Sequence, residues 1–329
     1  MLKIPPHFKE FLSEPRSICL INHFNPDGDA VGSTFGLGSA LKKMGHEVSI
    51  IMPNAFPDFL KFLRTDVPVF IYAEHMQEAL MRMEASALIG TLDFNHPDRC
   101  GAELGKWLTA KDRPVFMIDH HQQPAAYADP MFSFPDVAST CELVFEWLEA
   151  MNALQHIDTD AAQALYTGMV TDTGSFRFPS VRPRTLEIAA ELMRKGARPH
   201  QIHERIYDSN RESRLRLLGH CLKGMELRTD LRAAFMSLDA ATLNASGYLK
   251  GDTEGFVNQG LSIEGIELCL FAMEREDGWK ISLRSRGDLD VSALAREHFK
   301  GGGHINAAGG ESEGPAEAIR EKLWDILST

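Results

Sequence analysis

The sequence predicts an α/β protein with two domains: a mostly parallel sheet covered by helices on both faces, then a smaller C-terminal α/β domain. In the first half, short β-branched or apolar runs alternate with stretches of helical spacing, as in strands joined by crossover helices. A charged helical stretch then precedes a second set of strand-like runs. We expect a first domain at residues 1–190, a helical connector at 191–218 and a second domain at 219–329.

The individual elements follow from these runs. The predicted strands of the first domain are residues 18–23, 48–52, 67–72, 87–93 and 115–119. Its clearest predicted helices are residues 34–44, 140–151 and 159–169. The second domain has predicted strands at 233–238, 266–273 and 279–284, then a helix at 291–299 and a glycine cluster at 301–303. Because ligands of such sheets bind beyond the carboxyl ends of the strands, the residues that follow each run are site candidates.

The composition limits the partners and the compartment. With 46 acidic and 34 basic side chains the formal net charge is −12, which disfavours attraction to long nucleic acids, so any such substrate should be short. Five cysteines without a CxxC pair predict neither a disulfide framework nor a thiolate zinc site. The sequence has no signal-peptide pattern and no apolar stretch of membrane-spanning length, so we expect a cytoplasmic protein without a membrane partner.

The most informative segment follows the first predicted strand. There His23, Asp27 and Asp29 bring one imidazole and two carboxylates together on a turn relaxed by Gly28. Carboxylates two positions apart could face two neighbouring cations. The alternative is that the Asn-Pro-Asp-Gly sequence is ordinary turn chemistry, with Asp29 capping the following helix.

Three further candidate sites end or follow predicted elements. Asp93 closes the fourth strand, where a cap or turn role is the usual alternative. Asp119, His120 and His121 close the fifth strand, and two adjacent imidazoles over one crevice favour metal binding or proton transfer over a pair of solvated loop histidines. Asp172 follows a helix-like stretch, with an N-cap or Asx-turn as its alternative.

A single metal site would account for all of the acidic candidates at once. Aspartates gathered in one crevice would repel one another and acquire raised pKa values unless cations neutralised them. A bound divalent metal resolves that conflict. The mixture of carboxylate and imidazole, without thiolate, favours Mn²⁺ over Mg²⁺, Co²⁺ or Fe²⁺. The aspartates concerned are Asp27, Asp29, Asp93, Asp119 and Asp172.

The order of these motifs resembles the DHH phosphoesterase superfamily. The matching motifs are His23-x-x-x-Asp27-x-Asp29-x-x-x-Ser33, Asp93, Asp119-His120-His121 and Asp172-Thr173-Gly174. In the second domain, Ser-Leu-Arg-Ser-Arg at 282–286, Gly-Gly-Gly-His at 301–304 and Ala-Ala-Gly at 307–309 resemble the substrate-binding DHHA1 module. The most similar subgroup is the nanoRNase-type bifunctional enzymes, which act on short oligoribonucleotides and on phosphoadenosine phosphate.

The resemblance implies two divalent ions, with Mn²⁺ favoured. One ion would be held by His23, Asp27 and Asp93. The other would be held by Asp29, Asp93, His120 and Asp172, so that Asp93 bridges the pair. Asp119 is then a secondary ligand candidate or a support for a metal-bound imidazole, and His121 would donate a proton near the scissile phosphate. Such an ion pair supports in-line hydrolysis without a covalent intermediate.

The DHHA1-like module implies nucleotide recognition. The substrate contacts it implies are Arg284, Gly302, Gly303 and His304, with Arg286 and Asn258 as secondary candidates. Without the resemblance, a glycine cluster is often only a tight turn. Lys300 departs from the family pattern, in which many relatives carry another glycine, and this could alter phosphate contacts.

The predicted activity is hydrolysis of short oligonucleotides to mononucleotides and dephosphorylation of 3′-phosphoadenosine 5′-phosphate. A cyclic dinucleotide or its linear product is an alternative substrate that the sequence does not separate. The nucleotide-binding module disfavours inorganic pyrophosphate as the substrate. The lack of an evident further nucleic-acid-binding domain disfavours a processive single-strand exonuclease. A non-catalytic nucleotide sensor and a homodimer are both left open.

Overall fold

The computed structural model describes residues 2–110 and 113–328. The chain divides into two compact units, Met1–Ser209 and Asn210–Thr329. The predicted domain limits at residues 190 and 218 fall on either side of this division and stay predictions. Among the described residues, no helix combines the length and the apolarity that crossing a lipid bilayer requires.

The first unit is built on a parallel sheet of six strands in the order β3-β2-β1-β4-β5-β6. The strands are β1 Ser17–Ile21, β2 Glu47–Met52, β3 Val69–Ile71, β4 Leu88–Leu92, β5 Val115–Asp119 and β6 Met131–Ser133. Its helices are α1 Pro6–Phe11, α2 Gly28–Lys43, α3 Met76–Ala85, α4 Ala102–Ala110, α5 Thr140–Ala150, α6 Thr159–Asp172, α7 Pro183–Arg194 and α8 Pro199–His203.

Helices cover both faces of this sheet, as the sequence predicted. Along β1, Ile18 and Leu20 belong to one apolar core, whereas Cys19 and Ile21 belong to the core on the opposite face. Successive strand residues point to opposite sides, so both faces must be buried for such a run to be apolar throughout. The predicted α/β class with helices on both faces is confirmed.

The connections reverse direction between β1 and β4, which are neighbours in the sheet. The chain moves outward through β2 and β3 on one side, then returns to build β4, β5 and β6 on the other. At such a switch point the loops after the two central strands diverge and leave a crevice for ligands. The loops after β1 and β4 carry His23 and Asp93.

Two helices of the first unit, α2 and α6, pack unusually closely because glycines face the contact. A Cβ added at Gly32 would lie 2.5 Å from the carbonyl oxygen of Ala164, and one added at Gly168 would lie 2.8 Å from Oδ1 of Asp29. Only hydrogen at these positions permits this approach. The packing therefore brings the start of α2 and the end of α6, where Asp29 and Asp172 lie, to the same place.

The second unit has a mixed six-stranded sheet in the order β11-β12-β10-β9-β8-β7. Its strands are β7 Glu226–Arg228, β8 Ala233–Leu238, β9 Leu268–Arg275, β10 Gly278–Ser285, β11 Gly302–His304 and β12 Ala307–Ser312. Its helices are α9 Glu212–Lys223, α10 Ala240–Ala245, α11 Val257–Leu261, α12 Val291–His298 and α13 Ala316–Ser328. Separate apolar cores line the two faces of this sheet. The predicted smaller α/β domain is confirmed.

Candidate metal centre

The loop after β1 supplies the first two candidate ligands. His23 lies two residues beyond the end of β1, not within the strand as predicted, and its side chain is buried. Asp27 is the N-cap of α2 because its Oδ1 accepts the backbone N–H groups of Asp29 and Ala30 at 3.0 and 3.1 Å. His23 Nε2 lies 3.8 Å from Asp27 Oδ1.

Asp29 occupies a different position from the one its turn sequence suggested. The alternative in which Asp29 caps the following helix is wrong, because Asp27 takes that role and α2 begins at Gly28, six residues before the predicted start. Asp29 is instead fully buried in the first turn of α2. Its two carboxylate oxygens accept the backbone N–H groups of Thr140 and Cys141, at 2.6 and 2.9 Å. The N-terminus of α5 therefore holds this carboxylate in place.

Asp93 follows β4 directly and lies at the middle of the candidate centre. Its φ of 66° is a left-handed conformation that an aspartate adopts only when its surroundings favour it. Its Oδ2 lies 3.5 Å from Nε2 of His23, and its Oδ1 lies 3.6 Å from Nε2 of His120. The two oxygens of one carboxylate thus face two different imidazoles.

The end of β5 contributes two histidines that point in different directions. His120 has Nδ1 3.2 Å from the carbonyl oxygen of Val137, which turns Nε2 towards Asp172 at 3.2 Å and Asp29 at 3.8 Å. His121 instead has Nδ1 2.7 Å from Oδ1 of Asp119. The sequence left Asp119 as a secondary ligand or as a support for a metal-bound imidazole, and in the structure its carboxylate contacts the imidazole of His121.

Asp172 is the last residue of α6, so its predicted alternative as a helix N-cap is wrong. Together these residues form two donor groups: His23, Asp27 and Asp93, and beside them Asp29, His120 and Asp172. In each group the ligand atoms lie within 4.8 Å of one another. Asp93 joins the two groups through its second oxygen.

The charges of this cluster are balanced poorly by the protein alone. Burial raises the pKa of Asp29, and the charges of Asp93 and Asp172 raise it further. Burial also raises the pKa of Asp172 to about 6, although His120 opposes this. A carboxylate whose pKa is raised by burial and by like charges is one that a cation would stabilise.

The imidazoles respond in the opposite direction. Burial alone would lower the pKa of His23, but hydrogen bonds and charges from Asp27 and Asp93 outweigh it and raise the pKa to about 10. The pKa of His120 is likewise raised, against the effect of burial, by Asp172 and Asp93. Raised imidazole pKa values of this kind are typical of metal ligands, whose protons a bound cation replaces.

The donor set fits hard or borderline divalent ions. It consists of carboxylate oxygens and imidazole nitrogens, which suit Mn²⁺ and related ions. Cys141 lies beside Asp29, but burial and the charge of Asp29 raise the pKa of its thiol well above the usual value. It therefore stays a thiol, which leaves oxygen and nitrogen atoms as the candidate ligands.

In the second unit, the predicted substrate residues lie on neighbouring strands. Arg284 of β10 and His304 of β11 both pair with Ala307 of β12, from opposite sides. Asn258 lies in α11, and Arg286 follows β10. The structure therefore places Arg284 and His304 across one intervening strand of the same sheet.

The glycine cluster forms the strand β11 and not only a turn. A Cβ at Gly301 would lie 1.9 Å from the carbonyl oxygen of Gly309, and one at Gly303, where φ is 151°, would lie 2.4 Å from that of Ala307. Glycine is therefore needed at both positions for β11 to approach β12. Gly302 has no such restriction, since its nearest neighbour would be Cγ of Arg296 at 3.8 Å. The predicted substrate contacts of Gly302 and Gly303 stay predictions.

The sequence predicts the start of α5 at Thr140, but sequence reasoning missed the contacts that this helix start makes with the centre. The backbone N–H group of Thr140 donates to Asp29. Its hydroxyl donates to Oδ1 of Asp93 at 2.9 Å. Ser139 caps this helix by accepting the N–H group of Glu142 at 3.1 Å. The Ser-x-x-Glu pattern at 139–142 is a signal for a helix N-terminus, but it does not reveal what the N-terminus faces.

Comparison with known proteins agrees with this geometry. The sequence-family model described as the DHH family, N-terminal domain, matches residues 17–169. The family model of the DHHA1 domain matches residues 238–329. A crystal structure of an exopolyphosphatase-related protein from Bacteroides fragilis superposes with a TM-score of 0.94 at 37% identity, covering 98% of this chain and 94% of that one. The chain belongs to the DHH family. The predicted resemblance is confirmed, including the DHHA1 domain.

Further similarities extend over most of the DHH chain. A curated relative from Thermus thermophilus, a bifunctional oligoribonuclease and PAP phosphatase, is 29% identical over 93% of this chain and 90% of its own length. A structure of the exonuclease RecJ bound to manganese covers 97% of this chain and 93% of that chain, with a TM-score of 0.53 at 16% identity. The latter shows a shared fold, and residues that could hold metal ions are present in the chain described above.

Proposed function

We propose that this DHH protein is a two-metal phosphohydrolase that cleaves short oligonucleotides to mononucleotides and dephosphorylates 3′-phosphoadenosine 5′-phosphate. The similarity to the bifunctional oligoribonuclease and PAP phosphatase from Thermus thermophilus supports this substrate class. The observation that carries the proposal is the position of Asp93, whose two oxygens lie 3.5 Å from His23 and 3.6 Å from His120.

The proposed ligands follow the two donor groups. His23, Asp27 and Asp93 would hold one ion, and Asp29, Asp93, His120 and Asp172 the other. Mn²⁺ is the favoured ion because the donors are carboxylates and imidazoles. When bound, two such ions lower the pKa of water and neutralise charge on the entering and leaving oxygens of phosphoryl transfer.

The chain itself would supply a proton through His121. Because Asp119 lies 2.7 Å from Nδ1, the tautomer with hydrogen on Nδ1 is favoured, and Nε2 becomes the nitrogen that exchanges a proton. In hydrolysis, an oxygen–phosphorus bond forms to water and the ester bond to the leaving oxygen breaks. The water loses a proton to solvent, and Nε2 of His121 passes a proton that it has taken up from solvent to the leaving oxygen.

Recognition of the substrate would fall to the second unit. We assign Arg284 and His304 to the anionic part of the nucleotide, because a guanidinium binds phosphate in a bidentate manner. The two side chains lie on strands separated by β12. The net charge of −12 supports short substrates over long nucleic acid, and a cytoplasmic location is part of the same proposal.

Product analysis by chromatography tests this function. Purified protein with Mn²⁺ should release mononucleotides from a dinucleotide and AMP from 3′-phosphoadenosine 5′-phosphate, and should act more slowly on a longer oligonucleotide and a cyclic dinucleotide. Asp93→Asn should abolish turnover, whereas Asp98→Asn, at an exposed aspartate nearby, should not. Turnover of none of these substrates would refute the proposal, and a preference for the cyclic dinucleotide would replace its substrate.

The recognition step has a test of its own. Arg284→Ala should raise KM for the dinucleotide more than it lowers kcat, because it removes a binding contact and not a group at the reacting bond. Arg275→Ala is the matched comparison, since Arg275 is an exposed arginine at the end of β9 in the same sheet. Equal effects of the two substitutions would remove Arg284 from its assigned role.

A further inference from the structure

Thr140 contacts both donor groups of the metal centre but has no part in the chemistry proposed above. It is the first residue of α5 and is fully buried. Its hydroxyl donates to Oδ1 of Asp93 at 2.9 Å, and its backbone N–H donates to Oδ2 of Asp29 at 2.6 Å. One residue therefore orients two carboxylates.

The contact with Asp93 fixes which oxygen faces which imidazole. Oδ1, the oxygen that Thr140 binds, is the one 3.6 Å from His120, and Oδ2 is the one 3.5 Å from His23. Rotation of the carboxylate about its Cβ–Cγ bond would disturb both distances. A hydrogen bond to Oδ1 opposes that rotation.

We propose that Thr140 is a positioning residue that holds Asp93 as the bridge between two metal ions. This inference rests on the proposed function, because it assumes that the two donor groups bind ions. Support that orients a metal ligand commonly comes from such a neighbouring hydrogen bond. The specific effect of Thr140 is on the coupling of the two ions, because its hydroxyl acts on the shared ligand.

The turn that carries Thr140 is anchored from the other side. Ser139 caps α5, and Glu142, in the first turn of the helix, is fully buried. Glu142 accepts hydrogen bonds from Arg182 at 2.5 Å and from the hydroxyl of Thr185 at 2.8 Å. These hydrogen bonds connect the start of α5 to the start of α7. They hold the backbone at Thr140 in place, so that its hydroxyl can position Asp93.

Substitution can separate the hydroxyl from the backbone contact. Thr140→Val replaces the hydroxyl with a methyl group of similar size, so Asp93 loses a donor while the N–H bond to Asp29 persists. Thr140→Ser keeps the hydroxyl. Thr167→Val is the matched control, because Thr167 is also buried in a helix but donates its hydroxyl to the carbonyl oxygen of Gln163 at 2.8 Å.

The experiment is titration of the full chain with Mn²⁺, followed by electron paramagnetic resonance. The wild type, Thr140→Ser and Thr167→Val should bind two ions and give the spectrum of a spin-coupled pair. Thr140→Val should bind Mn²⁺ about 10- to 100-fold more weakly and give the signal of separate ions. Should Thr140→Val not fold, as judged by thermal unfolding, Thr140→Ala removes the same hydroxyl without an added methyl group.

The possible failures are distinct. Absence of a coupled pair in the wild type would refute the proposed function and, with it, this inference. A wild-type pair that persists unchanged in Thr140→Val, or a Thr140→Ser variant as impaired as Thr140→Val, would refute the role of Thr140 alone.

Discussion

Asp119 places its Oδ1 2.7 Å from Nδ1 of His121, and its Oδ2 accepts the backbone N–H group of the same residue at 3.1 Å. The adjacent His120 is oriented by a backbone carbonyl instead and turns Nε2 towards Asp172. Two neighbouring histidines therefore have different environments. One is suited to bind a cation, and the other to carry a proton whose charge Asp119 stabilises.

Asp119→Asn tests this division. The amide cannot stabilise a protonated His121 as a carboxylate does, so kcat should fall about 100-fold, while the affinity for Mn²⁺ changes little. Steady-state kinetics and a Mn²⁺ titration of the same variant make the measurement, with Asp98→Asn as control. A collapse of Mn²⁺ affinity would instead identify Asp119 as a metal ligand.

Metal binding should depend on pH in a direction set by the imidazoles. With a pKa of about 10, His23 is protonated at pH 7 in the metal-free protein, and a metal ion must displace that proton. The apparent affinity for Mn²⁺ should therefore rise with pH, by up to about tenfold per unit for each proton displaced. Calorimetry in two buffers of different ionisation enthalpy counts the protons. Release of none at pH 7 would contradict this charge balance.

Gly32→Ala tests the close packing of α2 on α6. The new Cβ would lie 2.5 Å from the carbonyl oxygen of Ala164, a backbone atom that cannot easily move. We expect a loss of about 1–3 kcal/mol in the free energy of unfolding, measured in urea. Gly219→Ala is the matched control, since a Cβ on this helical glycine meets no atom within 4 Å and should stabilise α9 by about 0.5–1 kcal/mol. Equal effects would argue against the packing account.

His46 should make stability depend on pH away from the metal centre. Burial, followed by the charge of Arg16, lowers the pKa of His46, whose Nδ1 accepts the N–H group of Arg16 at 3.2 Å. Because the folded pKa lies below the unfolded value of about 6.5, the unfolded chain takes up the proton first as pH falls. The stability that His46 contributes by staying neutral is fully present above the unfolded pKa. It is lost as the pH falls below that pKa, at no more than about 1.4 kcal/mol per pH unit.

His46→Asn isolates this contribution. The amide oxygen can accept the same N–H group but does not titrate, so the wild type should lose more stability than the variant between pH 7 and pH 5.5. Urea unfolding of both proteins at the two pH values measures the difference, and other titrating groups cancel in it. A difference that does not change with pH would show that His46 is not kept neutral by the fold.

The site residues that could be predicted from the sequence are those at the ends of strands. His23, Asp93 and Asp119 each follow an apolar run, and parallel strands bring their carboxyl ends to one edge. The burial of Asp29 could not be predicted, because Asp27 and Asp29 are equally suited to cap a helix and only the fold decides between them. The same holds for Thr140, whose partners Asp29 and Asp93 lie 111 and 47 residues away along the chain.

Of the four edge strands of the described sheets, β3 lies within the predicted run 67–72, and the other three were missed for a related reason. β6, β7 and β11 each have three residues, too few for an alternating pattern to be recognised. In β11, two of those residues are glycines, which disfavour a strand by local propensity. They are needed there because β12 approaches so closely, a contact that exists only after folding.

The most direct test of the two-metal centre is a crystal structure of the protein with Mn²⁺ and its anomalous difference map. We expect two peaks, one beside His23, Asp27 and Asp93, and the other beside Asp93, His120 and Asp172. A single peak, or ions bound only elsewhere, would contradict it.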